Sequence, residues 1–155
     1  MITVQKYASP IDDLHTDLLV TTMFEGEKPP RSLSGFIDWR MHGFLSRAIK
    51  SGIFTGQESE VLLIPSHGKL PARRMVVLGL GKKEAYTLGT IKRAVEKLSK
   101  VFTDLKVEDA AVRFPNLPIE QVRGETEGYV IGSLKSSKAP DGMLVWWLDA
   151  KAFDC

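Results

Sequence analysis

Two short apolar runs constrain this chain more than any other feature. Glu60-Val-Leu-Leu-Ile-Pro65 and Arg74-Met-Val-Val-Leu-Gly-Leu-Gly81 are separated only by Ser66 to Arg73. Runs of this length, rich in Val, Leu and Ile and bounded by Pro and Gly, read as strands at the centre of a sheet. A link so short joins them as an antiparallel hairpin. The second run ends in Gly79-Leu80-Gly81 and leads into a helical stretch, which makes that exit the place for a ligand to approach the backbone.

The rest of the chain is arranged around this hairpin. Residues 2–7 read as an edge strand, and Asp17 to Phe24 as a buried one, β-prone and almost uncharged. Glu25-Gly26-Glu27-Lys28-Pro29-Pro30 is a loop. A first helix is expected from Gly35 to Ser51, with Ser34 as N-cap and Asp38 in its first turn. Gly43 falls inside that helix and implies a close neighbour. A second helix spans Leu88 to Asp104 with Thr87 as N-cap, its apolar face formed by Leu88, Ile91, Val95, Leu98, Val101, Phe102 and Leu105. Val107–Phe114 reads as a strand. A third helix starts at Pro118, and Gly124, Gly128 and Gly132 on one of its stripes imply a backbone packed against it. Met143–Leu148 closes the sheet, with Trp146 and Trp147 on opposite faces.

Strands alternating with helices, with one hairpin among them, specify an α/β layered domain with a mixed sheet. Its 155 residues, 43% hydrophobic and 26% charged, suit one domain with a packed core. The one cysteine, Cys155, excludes an intrachain disulfide and fits a reducing compartment. No leader and no apolar run of membrane-spanning length is visible. A cytoplasmic location without membrane association is the expectation.

These segments, in this order, resemble the N-terminal domain of the leucyl (cytosol) aminopeptidases. The resemblance rests on Asp17 to Phe24; on Gly35, Asp38-Trp39-Arg40, Gly43, Leu45-Ser46 and Phe54-Thr55-Gly56; on the two hairpin runs; and on Glu127-Gly128-Tyr129 with Lys135 and Lys138. It implies a three-layer α/β/α, macro-domain-like sandwich over residues 1–155. In that family the catalysis belongs to a separate C-terminal domain with two divalent metals, whose Asn-Thr-Asp-Ala-Glu-Gly-Arg run does not occur here. The resemblance therefore transfers no catalytic or metal-binding residue. It implies a stand-alone, non-catalytic binding or regulatory module without a cofactor.

The residues offer little chemistry of their own. His15, His42 and His67 are scattered and make no metal-ligand spacing. Ser66-His67 has no identifiable acid partner. The stretch Gly79-Leu80-Gly81-Lys82-Lys83-Glu84 lacks the third glycine of a dinucleotide fingerprint. It could still offer N–H groups of Gly79 and Gly81, and the charges of Lys82 and Lys83, to a phosphate, opposite Glu25 and Gly26 in the loop after Phe24. An ADP-ribose-like or other phosphate-bearing ligand is one alternative for function. Nucleic acid is a further one, because Ser66 to Lys100 carries nine Lys/Arg against two acids. Both stand behind the leading expectation, a protein partner or self-association, for which one of Trp146 and Trp147 could lie at an interface.

Overall fold

The computed structural model describes residues 1–117 and 126–153. Its strands are β1 (Thr3–Tyr7), β2 (Leu18–Met23), β3 (Val61–Pro65), β4 (Arg74–Gly79), β5 (Asp109–Val112) and β6 (Leu144–Leu148). Its helices are α1 (Ser32–Arg40), α2 (Phe44–Lys50), α3 (Leu88–Asp104) and α4 (Thr126–Lys135). The strands form one mixed sheet in the order β1-β6-β5-β2-β4-β3. Every neighbouring pair is parallel except the β3–β4 hairpin, which is antiparallel with Leu63 opposite Val76.

Two apolar cores cover the two faces. On one face Val20, Val76, Leu78, Val112 and Trp147 pack with Ile91, Val95, Leu98 and Phe102 of α3 and Val130 and Leu134 of α4. On the other, Leu19, Met75 and Val77 pack with Leu33 and Ile37 of α1, Leu45 and Ala48 of α2, and Phe54. The expected three-layer sandwich follows. β2 sits between β5 and β4, so Leu18, Leu19 and Val20 are all buried; this is why its sequence reads as a continuous apolar run rather than an alternating one. Trp146 and Trp147 do face opposite sides. Trp147 is core, and Trp146 meets the ring of Tyr7 edge-on with centroids 5.9 Å apart.

Three expectations are corrected. The first helix is two. It breaks at 41–43, where His42 (φ 55°) and Gly43 (φ 79°) are left-handed, and Gly43 is the N-cap residue of α2. Asp38 serves α2, not the start of α1, accepting from Ser46 N–H at 2.9 Å and Ser46 Oγ at 2.5 Å. The second correction is the α1 cap. Arg31 holds that position, while Ser34 lies inside the helix and donates to the Thr22 carbonyl at 2.8 Å. The third concerns the glycine stripe. Gly128 and Gly132 are exposed and a Cβ on either would meet nothing within 4 Å, so no backbone of the described residues packs there; Pro118 and Gly124 lie outside the described residues. Thr87 is the N-cap of α3 as expected, its N–H donating to Thr90 Oγ1 at 3.2 Å.

Candidate ligand cleft

The connection leaving β2 runs through α1 and α2 toward the β3–β4 side of the sheet. The one leaving β5 runs toward β6 on the other side. β2 and β5 are neighbours, so the two exits diverge and open a crevice beyond their carboxyl ends. In open α/β sheets that is where ligands bind. A cleft of about 720 Å³ lies there. One wall is the β2 exit and the start of α1, including Thr22, Glu25, Gly26, Glu27 and Arg31. Lys83 and Tyr86 add a second wall, and Arg113, Phe114 and Phe153 a third.

Hydrogen bonds fix these walls. Glu25 N–H donates to the Gly81 carbonyl at 2.8 Å and Leu80 N–H to the Met23 carbonyl at 2.9 Å, tying the exits of β2 and β4 together. Tyr86 bridges to the β5 exit, its hydroxyl donating to the Pro115 carbonyl at 2.8 Å while its ring meets Phe24 edge-on at 5.2 Å. Burial pushes the Tyr86 phenol far up, so it remains a donor. Thr21 Oγ1 and Ser34 Oγ share a buried hydrogen bond of 2.8 Å and seat α1 on β2. Ser32 and Leu33, at the uncapped start of α1, line the cleft, and their backbone N–H groups have no acceptor among the described residues. With the helix dipole behind them they favour an anion.

The cleft is close to charge-balanced. Lys28, Arg31, Lys83 and Arg113 line it with Glu25, Glu27 and Glu84. Glu27 accepts from Arg31 N–H at 3.1 Å. Partial burial nevertheless raises its carboxyl above the usual range, against the lowering effect of that hydrogen bond and of Arg31 and Lys83.

Of the residues expected to meet a ligand, Glu25, Gly26 and Lys83 come together in this cleft. Gly79 and Gly81 do not supply free N–H groups. Gly79 N–H donates to the Glu60 carbonyl at 2.8 Å and Gly81 N–H to the Gly56 carbonyl at 2.9 Å. Both glycines exist to admit the 56–58 backbone and side chains against the β4 exit. Lys82 is exposed beside the cleft but does not line it. Tyr86, Arg113, Phe114 and Phe153 complete the site without having been singled out as ligand contacts.

Elsewhere the candidate chemistry dissolves into structure. Ser66 Oγ donates to the Arg73 carbonyl at 3.1 Å and serves a turn. Among the described residues no three His, Cys, Asp or Glu side chains gather as a metal site. The basic stretch is distributed over both ends of β4 and over α3. Arg73 and Arg74 lie at the start of β4 beside Asp17, Lys82 and Lys83 lie past its end, and Arg93 pairs with Glu58 at 2.9 Å. No helix among the described residues is long and apolar enough to cross a membrane.

Comparison with known proteins agrees with this architecture. The family model for the cytosol aminopeptidase family, N-terminal domain, matches residues 20–137. A probable cytosol aminopeptidase of Roseiflexus castenholzii is 32% identical over 124 residues, covering 77% of this chain and 23% of that protein. One of Alkaliphilus oremlandii is 29% identical over 109 residues, covering 70% and 22%. The chain thus spans about a quarter or less of the curated relatives it matches. Among solved structures, a tomato leucine aminopeptidase variant aligns with a TM-score of 0.66 at 15% identity, over 96% of this chain and 32% of that one. The macrodomain of Thermus aquaticus DarG aligns at 0.66 and 14% identity, over 96% and 99%. A Trypanosoma brucei macrodomain in complex with ADP-ribose aligns at 0.64 and 14%, over 95% and 63%. At these identities the structural likeness is one of fold.

Proposed function

The chain belongs to the cytosol aminopeptidase family through its N-terminal domain, and from that premise we propose that it is a non-catalytic binding module taking an ADP-ribose-like, phosphate-bearing small ligand. One observation carries the reading: a cleft of about 720 Å³ stands where the Glu25–Gly26 loop meets Lys83, at the carboxyl ends of adjacent parallel strands. Its volume suits a small ligand. Open helix N–H groups at Ser32 and Leu33 suit a phosphate, and Phe24, Tyr86 and Phe114 offer apolar walls for a ring. The Trypanosoma brucei macrodomain was solved with ADP-ribose and with ADP, which supports the choice of ligand by fold analogy.

Isothermal titration with ADP-ribose and ADP tests it. Both should bind, and ligand at about a hundredfold over its Kd should raise stability by about 2.7 kcal/mol. Absence of heat, together with unmoved amide resonances at Gly26 and Lys83, would sink the reading.

Binding should also depend on pH through Glu27. Its folded pKa is raised, so the protonated form favours the fold; that contribution is full below the unfolded pKa and lost as pH rises through the folded one. Above that range a carboxylate opposes an anionic ligand. Affinity for ADP-ribose, whose pyrophosphate keeps its charge throughout, is expected to climb as pH falls through the titration of Glu27. Glu27→Gln keeps an acceptor for Arg31 N–H, should flatten that slope and should raise affinity at neutral pH severalfold. A slope unchanged in Glu27→Gln would assign it to another group.

A further inference from the structure

Arg113 stands one residue past β5, half-buried in the cleft wall. Two contacts hold its guanidinium. Nη1 donates to the Leu148 carbonyl at 3.0 Å, and the carbon at the centre of the group lies 5.5 Å from the centroid of the Trp147 ring. Trp147 is itself buried in the core beneath α3 and α4, so the platform is rigid. No carboxylate pairs with Arg113 among the described residues, although Glu25, Glu27 and Glu84 line the same cleft. Among the described residues that hydrogen bond leaves the rest of the donor fork unspent.

A cation fixed by stacking and by one neutral carbonyl has already lost most of the rotamer freedom that binding would otherwise cost it. No carboxylate of the described residues lies within ion-pair distance of it. A guanidinium in that state suits an anion with two oxygens side by side, gripped by parallel N–H groups. Lys83 and the start of α1 lie on the other walls, so this contact is additional to theirs.

We propose that Arg113 is the anion-gripping residue of the cleft and sets its preference for ligands whose phosphate oxygens reach the β5 wall. The inference rests on the binding reading above and deepens it. It also explains the role of Trp147, which orients Arg113 without touching the ligand.

The experiment is a pair of titrations, with ADP-ribose and with inorganic pyrophosphate, followed by calorimetry and by the Arg113 Nε–Hε resonance. Wild type should bind ADP-ribose with a shift of that resonance. Arg113→Gln should weaken binding by about ten- to a hundredfold, the range expected for a lost charge-assisted hydrogen bond. Arg113→Lys keeps the charge but not the planar fork, should recover only part of the loss, and carries the measurement if Arg113→Gln does not fold. Lys69→Gln, outside the cleft, should bind as wild type. If wild type binds ADP-ribose and both Arg113 variants bind equally well, the inference is overturned while the binding reading stands. If only pyrophosphate binds, with Arg113 shifted, the inference holds and the ADP-ribose assignment falls. A resonance unmoved by either ligand overturns the inference.

Discussion

Gly79→Ala is expected to lower the unfolding midpoint by about 10 °C, from a loss of about 3 kcal/mol at about 3 °C per kcal/mol for a chain of this size. A Cβ at Gly79 would stand 2.1 Å from the Gln57 carbonyl oxygen and 2.8 Å from the Gly56 carbonyl carbon. Those are backbone atoms, and the loop that carries them cannot step back freely. Glu60 Oε1 holds it by accepting from Thr55 N–H at 3.0 Å, Thr55 Oγ1 at 2.8 Å, Gly56 N–H at 2.8 Å and Gln57 N–H at 3.2 Å. Moving the loop would break this cluster, or else break the bond from Gly79 N–H to the Glu60 carbonyl. Gly128→Ala in α4 is the matched comparison. Its Cβ would meet open space, so it should be neutral or stabilise by about 0.5–1 kcal/mol. Differential scanning calorimetry on both variants decides the matter. A midpoint for Gly79→Ala within a degree of wild type would mean that the loop retracts at little cost.

Asp17→Ala should be the most damaging charge removal, at about 3 kcal/mol. Asp17 is buried at the other end of the sheet, where β2, β4 and β5 begin. Its carboxylate takes both oxygens' worth of Arg74 Nη2, at 3.1 and 3.2 Å, and Glu108 N–H at 3.0 Å. Its own N–H donates to Asp109 Oδ1 at 2.6 Å, which also accepts from Thr16 Oγ1 at 2.8 Å. Alanine would leave a half-buried guanidinium and a backbone donor without partners. The value sits at the low end for a broken buried pair because Arg74 still reaches water. Asp17→Asn keeps an acceptor for Glu108 N–H and should cost less. Urea unfolding reads both, and stabilities equal to wild type would show that this three-strand clasp contributes nothing.

How far the sequence discloses this molecule depends on whether a feature is local. The β3–β4 hairpin and α3 were legible because an apolar period, a short link and Thr87 lie within one stretch of chain. The break between α1 and α2 is marked in the sequence by Gly43, but ambiguously. A glycine in a helical pattern can mean close packing or a left-handed turn, and the two are separated by the φ values of His42 and Gly43 and by the bonds Ser46 donates to Asp38 across the gap. The stripe through Gly128 and Gly132 failed for the opposite reason, since a helix can carry glycine on a face that touches nothing. For the cleft, the loops holding Glu25, Gly26 and Lys83 could be placed because each follows a strand. Gly79 and Gly81 lie on the same exit, but their N–H groups donate to Glu60 and Gly56 of a neighbouring loop. Arg113 and Phe153 reach the site from the β5 exit and from beyond β6, and no spacing along the chain brings them to the same place.

The divergence of the chain beyond β2 and β5 has a consequence for how such a site can change. Two stretches of the walls belong to these diverging exits. The 24–31 segment feeds α1, and residues 113–117 continue from the end of β5. Either one can be lengthened, shortened or recoloured without shifting the register of the two strands between them. The sheet acts as a chassis and the walls as interchangeable fittings, so ligand choice can drift by loop exchange while the core beneath stays the same.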